Sequence, residues 1–184
     1  MRNLAYLSLG SNLGDRMQHL EEAIHRMGSI GVVRLLSSLY ETEPVEFTDQ
    51  PLFLNCAVAL ETSASPDELI RQLLEIEKAL GRQRIQRKGP RKIDLDILLF
   101  DDQIVDTPEL KIPHPAMHQR RFVLEPLAEI APEARHPVLK KTVRELLDEL
   151  SPGQSVRQIG MMADSRRPLA NDSPPTTNDG LKEE

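Results

Sequence analysis

Apolar residues recur along the chain with two different periods, and the switches between them lay out its elements. Leu4–Leu9 reads as a strand and runs into the glycine-bearing turn Gly10-Ser-Asn-Leu-Gly-Asp15. A 3.6-residue period then places Met17, Leu20, Ile24 and Met27 on one helix face, closing near Gly28. Val32–Tyr40 is β-branched and aliphatic and predicts a second strand. Glu41–Pro51, with two prolines and several acids, predicts a loop long enough to be functional. Leu52–Glu61 alternates, with Leu52, Leu54, Cys56, Val58 and Leu60 on one face and Phe53, Asn55, Ala57 and Ala59 on the other. Ser65-Pro-Asp-Glu68 is a capping box with proline at the first helical position, opening a helix whose stripe is Leu69, Leu73, Ile76 and Leu80 and whose end is Gly81.

The second alternating run carries the chemistry. From Ile93 onward, Ile93, Leu95, Ile97 and Leu99 fall on one strand face, and Asp94, Asp96, Leu98 and Phe100 on the other. Two carboxylates side by side on a strand repel each other and call for a compensating positive group. Six basic residues precede them, Arg82, Arg84, Arg87, Lys88, Arg91 and Lys92, with no acid between Arg82 and Ile93. Either half alone reads as solvated surface. Together they suggest a site for a hard cation beside a site for a polyanion, which is what a metal–polyphosphate substrate needs.

Beyond that strand, Asp101–Thr107 predicts a hairpin turn, and Val138–Leu150 a last amphipathic helix. His114 lies between Pro113 and Pro115, so its backbone is held extended, and it is the best placed of the five histidines. Asn55 beside Phe53 reads equally as an edge for a flat polar-rimmed ligand or as a side chain satisfying a neighbouring loop. The glycine-bearing turn at residues 10–15 lacks the Gly-Lys-Ser/Thr ending of a P-loop and reads as an ordinary strand-to-helix connection. The order strand–helix–strand–strand–helix–strand predicts an α+β, ferredoxin-like split βαβ sandwich, with an antiparallel sheet, both helices on one face, and added C-terminal strands and helices. Phe53, Asn55, Asp94 and Asp96 would share the opposite, open face.

Composition narrows the partners. A net charge of −6 over 184 residues argues against a nucleic-acid binder held by bulk electrostatics and makes the basic run a local exception. No apolar run is long enough to span a bilayer, and Met-Arg-Asn-Leu leads straight into a strand pattern, so a cytoplasmic protein without membrane association is expected. One cysteine, Cys56, excludes an internal disulfide and a cysteine zinc cluster. Residues 1–160 form one domain in this reading, and the polar stretch 161–184 is expected to be a disordered tail.

Four spaced motifs then coincide: Leu9-Gly-Ser-Asn-Leu-Gly-Asp-Arg16, Phe53-Leu-Asn-Cys-Ala-Val58, Gly89-Pro-Arg-Lys-Ile-Asp-Leu-Asp-Ile97, and Pro113-His-Pro-Ala-Met117 with Arg120 and Phe122. Over about residues 1–150 the chain resembles the 6-hydroxymethyl-7,8-dihydropterin pyrophosphokinase family of folate biosynthesis. The resemblance implies transfer of the diphosphate of ATP to the pterin hydroxymethyl group, leaving AMP. It implies two Mg²⁺ ions on Asp94 and Asp96, with Arg82 and Arg91 also catalytic. It further implies ATP contacts from Glu77, Arg82, Arg84, Arg91, His114 and Arg120, and a pterin held by Thr42, Phe53, Asn55 and Phe122. The expected partners are these two small molecules, and a monomer is expected. Three positions depart from the family's habit: Lys88 where Trp is usual, Phe53 where Tyr is common, and Glu43 where Pro is common. The competing readings are a noncatalytic ferredoxin-like nucleotide- or RNA-binding module and a degenerate pyrophosphokinase.

Overall fold

The alternating segments pair into one antiparallel sheet. A computed structural model describes residues 2–45, 49–81 and 89–162. Its strands are β1 (Asn3–Ser11), β2 (Val32–Leu36), β3 (Leu39–Thr42), β4 (Phe53–Thr62) and β5 (Asp94–Phe100), then a small separate ribbon of β6 (Val105–Asp106) and β7 (Lys111–Ile112), and finally β8 (Val156–Gly160). The sheet order is β5-β1-β4-β3-β8, with β2 also pairing with β4. Helices α1 (Arg16–Met27) and α2 (Pro66–Ala79) follow β1 and β4, which gives the α+β ferredoxin-like arrangement read from the sequence. Among the described residues no helix is long and apolar enough to cross a membrane.

Local chemistry starts and stops these helices as the sequence suggests. Asp15 accepts the Gln18 N–H at 3.0 Å and caps α1. Ser65 and Glu68 exchange both bonds of the capping box at α2. The stripe of α2 buries Leu69, Leu73 and Ile76 against Leu7, Leu9, Cys56, Val58 and Ile97 of the sheet, each large side chain contributing about 1.5–3 kcal/mol by leaving water. On α1 the buried face is Leu20, Ala23 and Met27, while Met17 stays exposed. Cys56 is a buried thiol whose pKa burial pushes up to about 12.

Four sequence expectations are corrected. The single strand Val32–Tyr40 is two strands, because Ser37 and Ser38 break it. Ser37 N–H donates to the Ala57 carbonyl and its Oγ accepts the Ala57 N–H, while Ser38 N–H and Oγ both donate to Glu129. The alternation of β5 fails after Ile97: Tyr6 pairs with Leu99 and Leu7 with Ile97, which leaves Leu98 as an extra residue in a bulge. Phe100 therefore joins the core under α1 and α2, and Leu98 and Leu99 point to the other face. That other face is not open throughout. Helices α3 (Arg121–Ile130) and α4 (Val143–Asp148) cover part of it, with Leu124, Leu127, Val143 and Leu147 packed on Ala57, Leu98 and Leu99. Finally, the helix expected over Val138–Leu150 is only α4, since Lys140 adopts φ 59°, Arg135 bridges to Thr142, and Thr142 with Glu145 forms the capping box that starts the helix. At the chain's far end Met162 is buried in the main core; residues 163–184, most of the expected tail, lie outside the described residues.

Candidate active site

The uncovered part of the upper face is a cavity of about 260 Å³. Strand β1 makes its floor. In the sheet register Gly10 lies between Asn55 on β4 and Asp94 on β5, and Ser8 lies between Ala57 and Asp96. Asp94 and Asp96 line one side, Phe53, Asn55 and Thr42 the other, and Arg120 and Phe122 close it from the start of α3. Pro44, Val45 and Gln50 line it from the connection between β3 and β4. Gly10 leaves the room for this: a Cβ there would stand 2.8 Å from Asn55 Oδ1.

Asn55 and Thr42 are both buried, and Asn55 Nδ2 donates to Thr42 Oγ1 at 2.7 Å. That bond leaves an amide oxygen as acceptor and a hydroxyl hydrogen as donor at the polar end of the cavity. The two phenyl rings are each approached by a guanidinium, Arg91 over Phe53 and Arg120 over Phe122, both at 5.7 Å from the ring centroid. Arg91 also pairs with Asp94 at 2.9 Å, while its Nε is buried and has no hydrogen-bond partner among the described residues. A buried N–H with nothing to donate to fits a site that takes an anion.

The acidic side is under electrostatic load. Burial, then the neighbouring Asp94 and Glu77 carboxylates, push Asp96 up to about 7, against the pull of Arg91 and Arg120. Among the described residues no three His, Cys, Asp or Glu side chains converge as a metal cage. A pair of half-buried carboxylates is instead what Mg²⁺ accepts when substrate phosphates and water complete its shell, and a cation there would offset the burial and the repulsion that together raise Asp96.

Glu77 and His114 stand beside the cavity and do not line it. Glu77 is buried, and its Oε1 accepts the Leu95 N–H at 2.8 Å, satisfying an amide of β5. His114 N–H donates to the Leu98 carbonyl at 3.0 Å, and its Nδ1 accepts the Ala116 N–H at 3.2 Å, so the ring proton rests on Nε2. Burial, then the charge of Arg120, lowers the imidazole to about 4. Arg82, Arg84 and Lys88 lie outside the described residues.

Sequence reasoning missed the residues that hold the cavity in shape. Asn12, in the turn read as an ordinary connection, is buried and ties three segments together. Its N–H donates to the Arg91 carbonyl at 3.1 Å and its Oδ1 accepts the Arg91 N–H at 2.8 Å. Its Nδ2 donates to Gln50 Oε1 at 3.0 Å and to the Pro51 carbonyl at 3.2 Å. Arg16 adds a second tie, donating to the Leu52 carbonyl at 2.8 Å and to Glu41 at 2.9 Å. The only sequence signal for these roles was the Gly10-Ser-Asn motif itself.

The 7,8-dihydro-6-hydroxymethylpterin-pyrophosphokinase (HPPK) family matches residues 6–132. The chain belongs to the HPPK family. It is 50% identical over 133 residues to the 2-amino-4-hydroxy-6-hydroxymethyldihydropteridine pyrophosphokinase of Bacillus subtilis, covering 71% of this chain and 79% of that one. The corresponding Aquifex aeolicus HPPK protein is 39% identical over 144 residues, covering 78% and 90%. Folic acid synthesis protein fol1 of Schizosaccharomyces pombe is 43% identical over 156 residues, covering 84% of this chain and 21% of the yeast protein. A crystal structure of Plasmodium falciparum HPPK-DHPS with pterin and p-hydroxybenzoate superposes with a TM-score of 0.64 at 19% identity, covering 81% of this chain and 42% of that one. The chain thus spans about a fifth of the yeast HPPK relative and under half of the Plasmodium chain, and the latter likeness speaks for the fold alone.

Proposed function

We propose that this chain transfers the diphosphate of ATP to the hydroxymethyl oxygen of 6-hydroxymethyl-7,8-dihydropterin, giving AMP and the pterin diphosphate. The observation that carries this reading is the meeting, in one cavity, of paired aspartates, two guanidinium groups, and two phenyl rings with an amide–hydroxyl pair at the polar end. Family membership and the names of the bacterial relatives support the same reaction.

The hydroxyl oxygen forms a bond to the β-phosphorus of ATP, the bond from that phosphorus to the α,β-bridging oxygen breaks, and AMP departs while the hydroxyl proton is released. Phosphoryl chemistry of this kind asks for alignment and charge neutralisation more than for covalent help. Asp94 and Asp96 would hold two Mg²⁺ ions. When bound, the metal neutralises phosphate charge and lowers the pKa of the attacking hydroxyl. Arg91 leaves Asp94 for the phosphates, its buried Nε being without a partner among the described residues. Arg120 adds positive charge at the cavity, and the family resemblance gives Arg82 and Arg84 the same role. His114 offers its Nε2–H, and Glu77 holds β5 in place at Leu95.

Phe53 and Phe122 would take the pterin ring between them, and loss of a tyrosine hydroxyl at position 53 leaves the stacking face intact. Asn55 and Thr42 present an acceptor and a donor to the pterin's amide edge. The test is AMP formation from ATP in the presence of 6-hydroxymethyl-7,8-dihydropterin and Mg²⁺, against mixtures lacking pterin or metal. AMP that requires all three is the expected result. ADP as the nucleotide product would contradict the reaction.

A further inference from the structure

The stretch matched by the HPPK family ends at residue 132, yet after it the chain returns to two residues that wall the cavity, Phe122 and Glu43. Arg121 Nη2 donates to the Leu150 carbonyl at 3.1 Å, and β8 then pairs with β3, placing Val156 opposite Thr42. Between these two anchors lies Gln154, whose side chain bridges the two walls. Its Oε1 accepts the Phe122 N–H at 3.3 Å, and its Nε2 donates to the Glu43 carbonyl at 3.3 Å.

The first bond answers a local need. Helix α3 starts at Arg121 with Arg120 in the N-cap position, and no side chain caps it from there. The Phe122 N–H is one of the first-turn amides that have no acceptor inside their own helix. Gln154 supplies that acceptor from 32 positions along the chain. The second bond fastens the same amide group to Glu43, directly after Thr42. Phe122 and Glu43 both line the cavity, so one side chain fixes the distance between the wall that carries a ring and the wall that carries the Thr42–Asn55 pair. A gap of about 0.5–1 Å forfeits roughly a quarter to a half of the dispersion energy with a flat ring, so that distance matters to a ring bound there.

We infer that Gln154 is a positioning residue for the flat-ring subsite, setting the gap into which the bicyclic substrate fits. This rests on the pterin reading given above. The phosphate side of the cavity, built from Asp94, Asp96 and Arg91, has no bond to Gln154, so the effect belongs to one ligand.

The test is calorimetric binding of 6-hydroxymethyl-7,8-dihydropterin and of an ATP analogue with a methylene α,β-bridge, both with Mg²⁺. It compares the full chain with Gln154→Ala, Gln154→Glu and Arg157→Ala, each checked by its melting temperature. Gln154→Ala is expected to weaken pterin binding about three- to tenfold, the range that one or two lost hydrogen bonds produce, with the analogue's Kd unchanged. Gln154→Glu keeps the acceptor for Phe122 and recovers part of the loss. Arg157→Ala removes a β8 contact to Glu41 and leaves the pterin Kd as it is. An unchanged pterin Kd in Gln154→Ala overturns the inference, as does equal weakening of both ligands or an equal effect from Arg157→Ala. A wild-type protein that binds the analogue and no pterin overturns the pterin reading itself, and the role of Gln154 with it.

Discussion

Strand β4 shows two surfaces of one element put to different uses. Its lower face sends Leu54, Cys56, Val58 and Leu60 into the core beneath α1 and α2. Its upper face starts with Phe53 and Asn55 in the cavity and continues with Ala57 under α3. The lower face is apolar and fully covered, so it supplies stability. The upper face is covered only where α3 and α4 reach, and the uncovered end keeps polar and charged groups that would be unfavourable in a core. Groups that destabilise a fold gather where a ligand can satisfy them.

Damage to each face separately should have separate consequences. Asp94→Ala should reduce AMP formation by a factor on the order of 10³, as loss of a group stabilising transition-state charge does, while the chain stays folded. Leu73→Ala should destabilise the chain by about 2–5 kcal/mol in denaturant titrations, with turnover per folded molecule unchanged. If Leu73→Ala lowered turnover per folded molecule as Asp94→Ala does, the separation of the faces would fail.

Next in size is Gly10→Ala. A Cβ there stands 2.8 Å from Asn55 Oδ1, so the amide must move away from its place beside Thr42. A roughly tenfold rise in the pterin KM is expected from the disturbed hydrogen bonds, with the ATP KM nearly constant. Steady-state kinetics with each substrate varied in turn would show it. A shift in the ATP KM alone would mean that Gly10 serves the phosphate side.

Much of this division is legible in the sequence. Alternation assigns the faces of β4, and the capping box at Ser65 fixes the start of α2. The Asp94–Asp96 pair and Phe53 with Asn55 do share a cavity, as their parity suggests. What stays hidden depends on residues far away in the chain. The bulge at Leu98 exists only relative to Tyr6 and Leu7 on the neighbouring strand. The break at Ser37 and Ser38 is held by Ala57 and Glu129, 20 and 91 positions away. Helix α3 carries Pro126 in its interior, which masks its period, and its first turn is completed by Gln154. Asn12 looks like a turn residue until Gln50, Pro51 and Arg91 are seen around it.

A separate effect is expected on pH dependence, and it tests the balance of charge on the upper face. Asp96 rises from 3.8 to about 7 in the folded chain, so between those values the folded state holds a proton that the unfolded state has lost. Its contribution to stability is full below pH 3.8 and is lost as pH rises through 7. His114 falls from 6.5 to about 4, so its contribution is present above pH 6.5 and is lost as pH drops through 4. The two slopes oppose each other over nearly the same window. In metal-free buffer Asp96→Asn should therefore raise the melting temperature most at pH 8, with the gain fading toward pH 4. His114→Gln should show its relative gain at pH 4 and lose it by pH 7. Parallel melting curves for both variants and the parent across this range would refute the assignment.

On this reading both substrates meet at the uncovered end of the upper face. A crystal structure of the chain with 6-hydroxymethyl-7,8-dihydropterin, Mg²⁺ and an ATP analogue with a methylene α,β-bridge tests it directly. The expected result is the pterin ring between Phe53 and Phe122 with its amide edge on Asn55 and Thr42, and the phosphate-bound metal on Asp94 and Asp96. A pterin or metal bound anywhere else on the chain, with this cavity left to solvent, would contradict it.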